Sequence, residues 1–378
     1  MYSRRHNATF TALVTVVVLV GAGGMSLVLL ASGAPGALVI GLLLASVPVG
    51  PVVGCYLWLD RYEPEPRTLL LLGLGWGAFV ATSAALILQV FDHFTFGGSQ
   101  ATMGTLVAPV TEEAAKGLFI VLLLFFRRNE IDGILDGIVY AGMVGVGFAF
   151  MENILYLASA YMGGHGSTGG LESAVGLFIV RGVFSPFAHP LFTAFTGIGV
   201  GIAVNSRSRV VKVVAPLVGY LLAVCAHSLW NGALMLNGGR DAVPTYAFLM
   251  VPAFFFLAGF AVWARRREGR LLAEALTDCS RRGFLDPAEV PWLVRIPARR
   301  VCRKYAARVG GPQGRRVMVE YQRNAIELGF LHHRYLRGTP PSDFAQLGQE
   351  YAGRMRALRP HVIWPQRSGA PLVVGDRR

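Results

Sequence analysis

The chain has 378 residues, 53% of them hydrophobic and 15% charged, with a mean hydropathy of +0.50. A water-soluble globule of this length carries about a quarter of its residues as charges, so that class is excluded. From Arg265 onward there are 23 Lys and Arg against 10 Asp and Glu, and residues before it balance at 12 and 12, so the whole net charge of +13 lies in the tail. Cys55, Cys225, Cys279 and Cys302 form no CxxC pair, and neither a disulfide framework nor a zinc knuckle is indicated.

Apolar segments, each long enough for a hydrocarbon core of about 30 Å, recur from the N-terminus to Trp263. In chain order they predict eight spans, roughly 9–30, 37–59, 68–91, 101–126, 134–161, 174–205, 210–236 and 244–264. The first carries a signal-like basic start but is too long for a cleaved leader. The sixth is broken by Pro186 and Pro190, and its first part, "SAVGLFIVRGVF", reads as an interfacial or re-entrant piece bearing Arg181. The fold class is thus all-α: a polytopic transmembrane helical bundle over residues 1–264, followed by a small basic helical extension over 265–378.

Loop charges predict the orientation. Arg4/Arg5, Arg61/Arg67, Arg127/Arg128, Arg207/Arg209/Lys212 and Arg265–Arg267 fall on alternate connections, while the opposite ones carry only Arg240. By the positive-inside rule both termini are cytoplasmic. In "DRYEPEPR", Asp60–Arg67, the prolines separate two helices and the acids are expected to be solvated. Asp92, His93, His165 and Glu172 read as wet loop residues.

Four spans carry polar clusters that this topology places at similar depth, between the mid-plane and the outer face. "VAPVTEEAAKGLFIVLLLFF" sets Glu112, Glu113 and Lys116 at helical neighbours' spacing. "FAFMENILY" supplies Glu152, with Asn153 beside it and Tyr156 one turn on. "SPFAHPLFTAF" supplies His189 and Thr193, and "AVCAHSLWNGALM" supplies His227 and Asn231. A charge near the bilayer centre costs about 2.5–3.5 kcal/mol on insertion scales, so these groups are expected to meet around one hydrated pocket rather than scatter.

Such a pocket has the parts of a hydrolase. Two adjacent carboxylates in low dielectric cannot both ionise easily, which suits Glu112 to act as general base, with Glu113 and Lys116 tuning it. Histidines can shuttle a proton or donate to an oxyanion, and Asn231 adds a donor. Glu112, Glu152, His189 and His227 could instead hold Zn²⁺, although no HExxH pattern is present. Singly, each group also has an ordinary structural reading: a buried ion pair, a hydrogen-bonded core histidine, or an asparagine joining helices.

"EEAAK", Phe148–Tyr156 in the pattern FxxxENxxY, "HP" at His189 and "HSLWN" at His227–Asn231, in this order on successive spans, resemble the PrsW family of intramembrane proteases, and "DRYEPEP" resembles its actinobacterial members. The resemblance covers about residues 50–264. It extends to the related CAAX prenyl endopeptidases and Abi proteins, whose pattern is a double glutamate, then FxxxH, then HxxxN. Here Glu152 stands where the second motif has histidine, and His189 is placed to supply that imidazole. The resemblance implies an endopeptidase of a bacterial plasma membrane that cuts a membrane-tethered, single-span substrate of the anti-sigma-factor type, with a metal ion or a glutamate activating the water.

Two other classes remain open. Buried carboxylates and histidines also make proton-coupled carriers, although no internal repeat is visible. A non-catalytic scaffold holding a partner span is the third reading. The basic tail suits contact with anionic lipids, regulation or partner docking, and nothing in it forms a nucleic-acid motif.

Overall fold

In a computed structural model of the chain, residues 2–97, 99–127, 130–164 and 166–365 are described. Arg128 and His165 lie outside them, and so do the side chains of Arg4 and Arg5. No strand occurs among the described residues. The chain forms two compact units, Met1–Arg265 and Arg266–Arg378.

In the first unit, α1 spans Tyr2–Ala31, α2 Pro35–Leu59 and α3 Arg67–Phe96. Helix α4 covers residues 100–126, and α5 is Ile134–Tyr161. The expected sixth span divides as its prolines suggest: α6 is Gly170–Phe178 continued by a π-helical stretch, Ile179–Phe184, and after a break at residues 185–187 the chain resumes as α7, Ala188–Asn205. Pro186 has no N–H with which to continue the helix, and Ser185 before it closes the π-helical stretch on the Val180 carbonyl, through its N–H at 3.0 Å and its hydroxyl at 2.8 Å. Helix α8 is Arg209–Met235, and α9 is Ala242–Arg281.

Among the described residues, seven helical segments are long and apolar enough to cross a membrane. Helix α4 is not among them, because Glu112, Glu113 and Lys116 all fall inside it. All three are buried, and its apolar Phe119, Ile120 and Leu123 are fully enclosed. The chain is a multi-pass helical bundle.

Helix α5 is the axis. Apart from Asp136 and the edge bearing Glu152 and Asn153 it is apolar around its circumference, as a helix surrounded by others must be, and most of its residues from Leu135 to Ala160 are buried. Its small residues let neighbours approach backbone to backbone. A Cβ on Gly137 would lie 2.1 Å from the carbonyl oxygen of Gly197 in α7. One on Gly145 would lie 2.7 Å from the Cα and N of Pro190, the residue after His189.

One expectation is corrected at the α2–α3 turn. Asp60 and Glu65 are not solvated; each is only 8% exposed. The Glu65 N–H donates to both carboxylate oxygens of Asp60 at 3.1 Å, closing the turn, and the Tyr140 hydroxyl of α5 donates to Glu65 Oε2 at 2.7 Å. The "PEP" run turns the chain back tightly enough to bring its acids under α5, where a phenol and a backbone amide replace water.

The second unit is helical, with α10 at Val290–Val294, α11 at Ile296–Leu336 and α12 at Phe344–Leu358. Pro291 and Pro297 stand in first turns, where a missing N–H costs nothing. Helix α11 bends at Gly311, whose φ of 61° favours glycine, followed by Pro312. Its two arms pack Cys302, Ala306 and Met318 against Trp292 and Trp364, and Arg303 Nε donates to Gln322 Oε1 across the bend at 2.6 Å.

Candidate active site

Helix α4 presents Glu112, Glu113 and Lys116 to the interior because positions i, i+3 and i+4 share a face. Glu113 is wholly buried and both its oxygens are engaged: Oε1 accepts from Lys116 Nζ at 2.8 Å and from His227 Nδ1 at 3.1 Å, and Oε2 accepts from Thr193 Oγ1 at 3.0 Å. Glu112 is more loosely held. Its Oε2 lies 3.4 Å from Lys116 Nζ and 3.8 Å from His227 Nε2, and Gln89 of α3 donates to its Oε1 at 3.3 Å.

Lys116 is fully buried between these carboxylates, His189 and an aromatic face. Its Nζ lies 3.1 Å from His189 Nδ1 and 3.7 Å from the centre of the Phe148 ring. An ammonium has hydrogens and no lone pair, so it donates to Nδ1, and in neutral His189 the ring proton sits on Nε2. That nitrogen is 2.7 Å from Glu152 Oε2 on α5. In His227 the assignment is reversed: Glu113 is acceptor to Nδ1–H, which leaves the Nε2 lone pair turned toward Glu112. The two imidazoles stand nearly perpendicular, with ring centres 5.1 Å apart, and His227 stacks on Phe192.

The structure therefore brings Glu112, Glu113, Lys116, Glu152, His189, His227 and Thr193 into one connected cluster drawn from α4, α5, α7 and α8. Asn153 and Tyr156 lie beside it, around a residue that reading the motifs alone passed over. Arg181, on the π-helical stretch after α6, is ion-paired with Glu152, donates from Nε to Asn153 Oδ1 at 2.7 Å and lies 4.2 Å above the Tyr156 ring. A lone arginine in an apolar stretch was the available signal. Gln89 was likewise unforeseen, since a single glutamine on α3 forms no motif. Asn231, one turn beyond His227, donates from Nδ2 to the Gly104 carbonyl at 2.9 Å rather than to the acids.

Glu112, His189 and His227 each offer one ligand atom, and these atoms lie within 4.8 Å of one another. Two imidazoles and one carboxylate form a donor set of catalytic zinc sites. Each histidine also has its other nitrogen on a carboxylate, Glu152 or Glu113, as metal-ligating histidines do. On both counts the residues fit a zinc ion. Glu152, expected among the ligands, falls outside this group of three; its Oε2 meets His189 and Arg181 instead.

Residues 65–257, just over half of the chain, match the family described as PrsW family intramembrane metalloprotease. The chain belongs to the PrsW family. It is 32% identical to Protease PrsW of Geobacillus kaustophilus over 163 residues, 43% of this chain and 66% of that one. With Protease PrsW of Bacillus subtilis the identity is 27% over 219 residues, 58% of this chain and 91% of the relative. With that of Clostridioides difficile it is 30% over 161 residues, covering 62% of the relative. The match thus spans slightly less than two thirds of some relatives and nearly all of another. No solved structure matches the chain significantly. PrsW membership makes this a multi-pass bacterial membrane protein of an intramembrane endopeptidase class, and the buried cluster of α4, α5, α7 and α8 lies within the matched span.

Proposed function

We propose that this PrsW-family protein hydrolyses a peptide bond of a membrane-tethered protein, with water activated between Glu112, His189 and His227. The observation that carries the reading is the paired orientation of the histidines. Each is tied by a carboxylate on one nitrogen; the other nitrogen of His227 lies 3.8 Å from Glu112 Oε2, and that of His189 meets Lys116, which also meets Glu112.

Glu112 is the base: it takes the proton of the attacking water and returns it to the leaving amide nitrogen as the carbon–nitrogen bond breaks. Its bonds are longer than those of Glu113, which leaves it freer to do so. Lys116 holds the carboxylate charge in place. Asn231 still has the second hydrogen of its Nδ2 to offer a developing oxyanion. Alternatively, Glu112, His189 and His227 could together hold a zinc ion, which would supply Lewis-acid activation of the water and carbonyl in place of the free Glu112 base. The substrate class follows the family resemblance: a single-span protein of the anti-sigma-factor type, cut near the extracytoplasmic edge of its span. The loop-charge topology supports that side.

The test uses purified wild type and Glu112→Gln with a single-span reporter, with and without a chelator. Glu112→Gln is expected to cut at least ~10²-fold more slowly at unchanged thermal stability, the scale of a lost general base. Equal cleavage by both proteins removes Glu112 from the role. Cleavage that survives chelation assigns the water to the glutamate and histidines alone.

A further inference from the structure

The α6 segment carries a charge into an apolar stretch, and the way that charge is used reaches His189. Resting on the proposed hydrolytic site, we infer that Arg181 is a positioning residue that sets the tautomer and aim of His189 through Glu152.

Among the described residues, Arg181 is the only basic residue on the membrane-spanning helices between Lys116 and Arg207, apart from the histidines. The π-helical stretch Ile179–Phe184 places an extra residue in its turn, which changes the direction its side chain takes from the helix. All three groups that receive it lie on one edge of α5, at positions 152, 153 and 156. Nη2 pairs with Glu152 Oε2, Nε donates to Asn153 Oδ1 at 2.7 Å, and the guanidinium stacks on Tyr156 at 4.2 Å. A planar guanidinium held at two edges and one face has little freedom left.

The oxygen of Glu152 that meets Arg181 is the one that accepts from His189 Nε2, at 2.7 Å. While that oxygen is pinned, the proton of neutral His189 belongs on Nε2, and the Nδ1 lone pair faces Lys116 on the inner side. Without Arg181, Glu152 is free to swing away, and of the two partners that distinguish the nitrogens of His189 only Lys116, at Nδ1, is left. Groups that orient such histidines typically matter by 10–100-fold. Arg181 touches neither water nor scissile bond in this scheme; it acts through Glu152.

The decisive measurement is the ¹⁵N spectrum of histidine-labelled protein in detergent, with His189 assigned by its loss in His189→Gln. Wild type is expected to show the Nε2-protonated form. Arg181→Ala is expected to show a mixture of the two tautomers, and Arg181→Lys, which keeps the charge, to recover the wild-type form in part. On the reporter, Arg181→Ala should lower kcat about 10–100-fold with KM unchanged, and adding it to Glu152→Gln should cause no further loss. An unaltered His189 tautomer in Arg181→Ala, whether or not thermal stability falls, overturns the proposal and leaves Arg181 a purely structural latch. A wild type that shows the expected tautomer yet cuts nothing would count against the hydrolytic reading, while the tautomer comparison would still decide the role of Arg181.

Discussion

Lys116 Nζ lies 3.1 Å from His189 Nδ1, the imidazole nitrogen left over once Nε2 is on Glu152. It is also 3.4 Å from Glu112 Oε2, so the ammonium engages two of the three prospective metal ligands. Lysine and zinc thus offer positive charge to the same acceptors.

Lys116→Met therefore separates the two cations. Without zinc, Glu112 and Glu113 are left buried beside an apolar side chain, and breaking a buried ion pair from one side costs about 3–5 kcal/mol. Thermal unfolding in detergent with a chelator should show a clear loss of stability. Zinc binds only the folded protein and should restore part of it by mass action, with a larger upward shift in Lys116→Met than in wild type. A zinc-induced shift no larger than that of wild type would count against the shared site.

Gly145 tests whether helix spacing controls the chemistry. An alanine there would set its Cβ 2.7 Å from Pro190 backbone atoms and 2.9 Å from the carbonyl carbon of His189. Helix α7 has to retreat, and His189 moves with it. Misplacement by about 1 Å can cost 10²-fold in rate, so Gly145→Ala should lose most cleavage although it removes no functional group. Gly50→Ala on α2, where a Cβ meets nothing within 4 Å, should cut at the wild-type rate.

The α2–α3 turn predicts a pH dependence of stability. Burial, the largest cause, pushes the Asp60 carboxyl from its ordinary 3.8 up to about 7, against the lowering effect of the Glu65 N–H. Burial also raises Glu65 well above its ordinary value; Asp136, Glu130 and Asp60 add to the rise and the Tyr140 hydroxyl opposes it. Raised folded-state values mean that the folded chain binds these protons more tightly than the unfolded one. Their contribution is complete below about pH 4 and is lost as pH rises through 7. Between pH 5 and 8 thermal stability should fall, and Asp60→Asn, which does not titrate, should flatten that slope. A wild-type profile that rises over this interval would contradict the buried, protonated turn.

Much of the architecture was legible in the chain itself. Bilayer thickness demands about twenty apolar residues per crossing, and Pro186 and Pro190 cannot continue a helix, so the multi-pass helical bundle and the break in the sixth predicted span followed from composition and backbone chemistry. Among the described residues, however, seven of the eight predicted spans are apolar enough to count as crossings. Family membership was legible for a similar reason: the glutamates, histidines and Asn231 sit in short motifs whose spacing is local. Their meeting was a further matter. Glu113 and His227 are 114 positions apart and Glu152 and His189 are 37 apart, separations that only packing around α5 closes.

What tertiary structure alone decided is how each polar group is satisfied. It assigned Glu152 to Arg181 and His189 rather than to the three-ligand group, brought Gln89 to Glu112, and buried Asp60 and Glu65 where local sequence suggested water. The physical reason is that a buried donor or acceptor must find a partner wherever the fold supplies one. That partner is chosen by distance across helices, which periodicity along one helix does not encode.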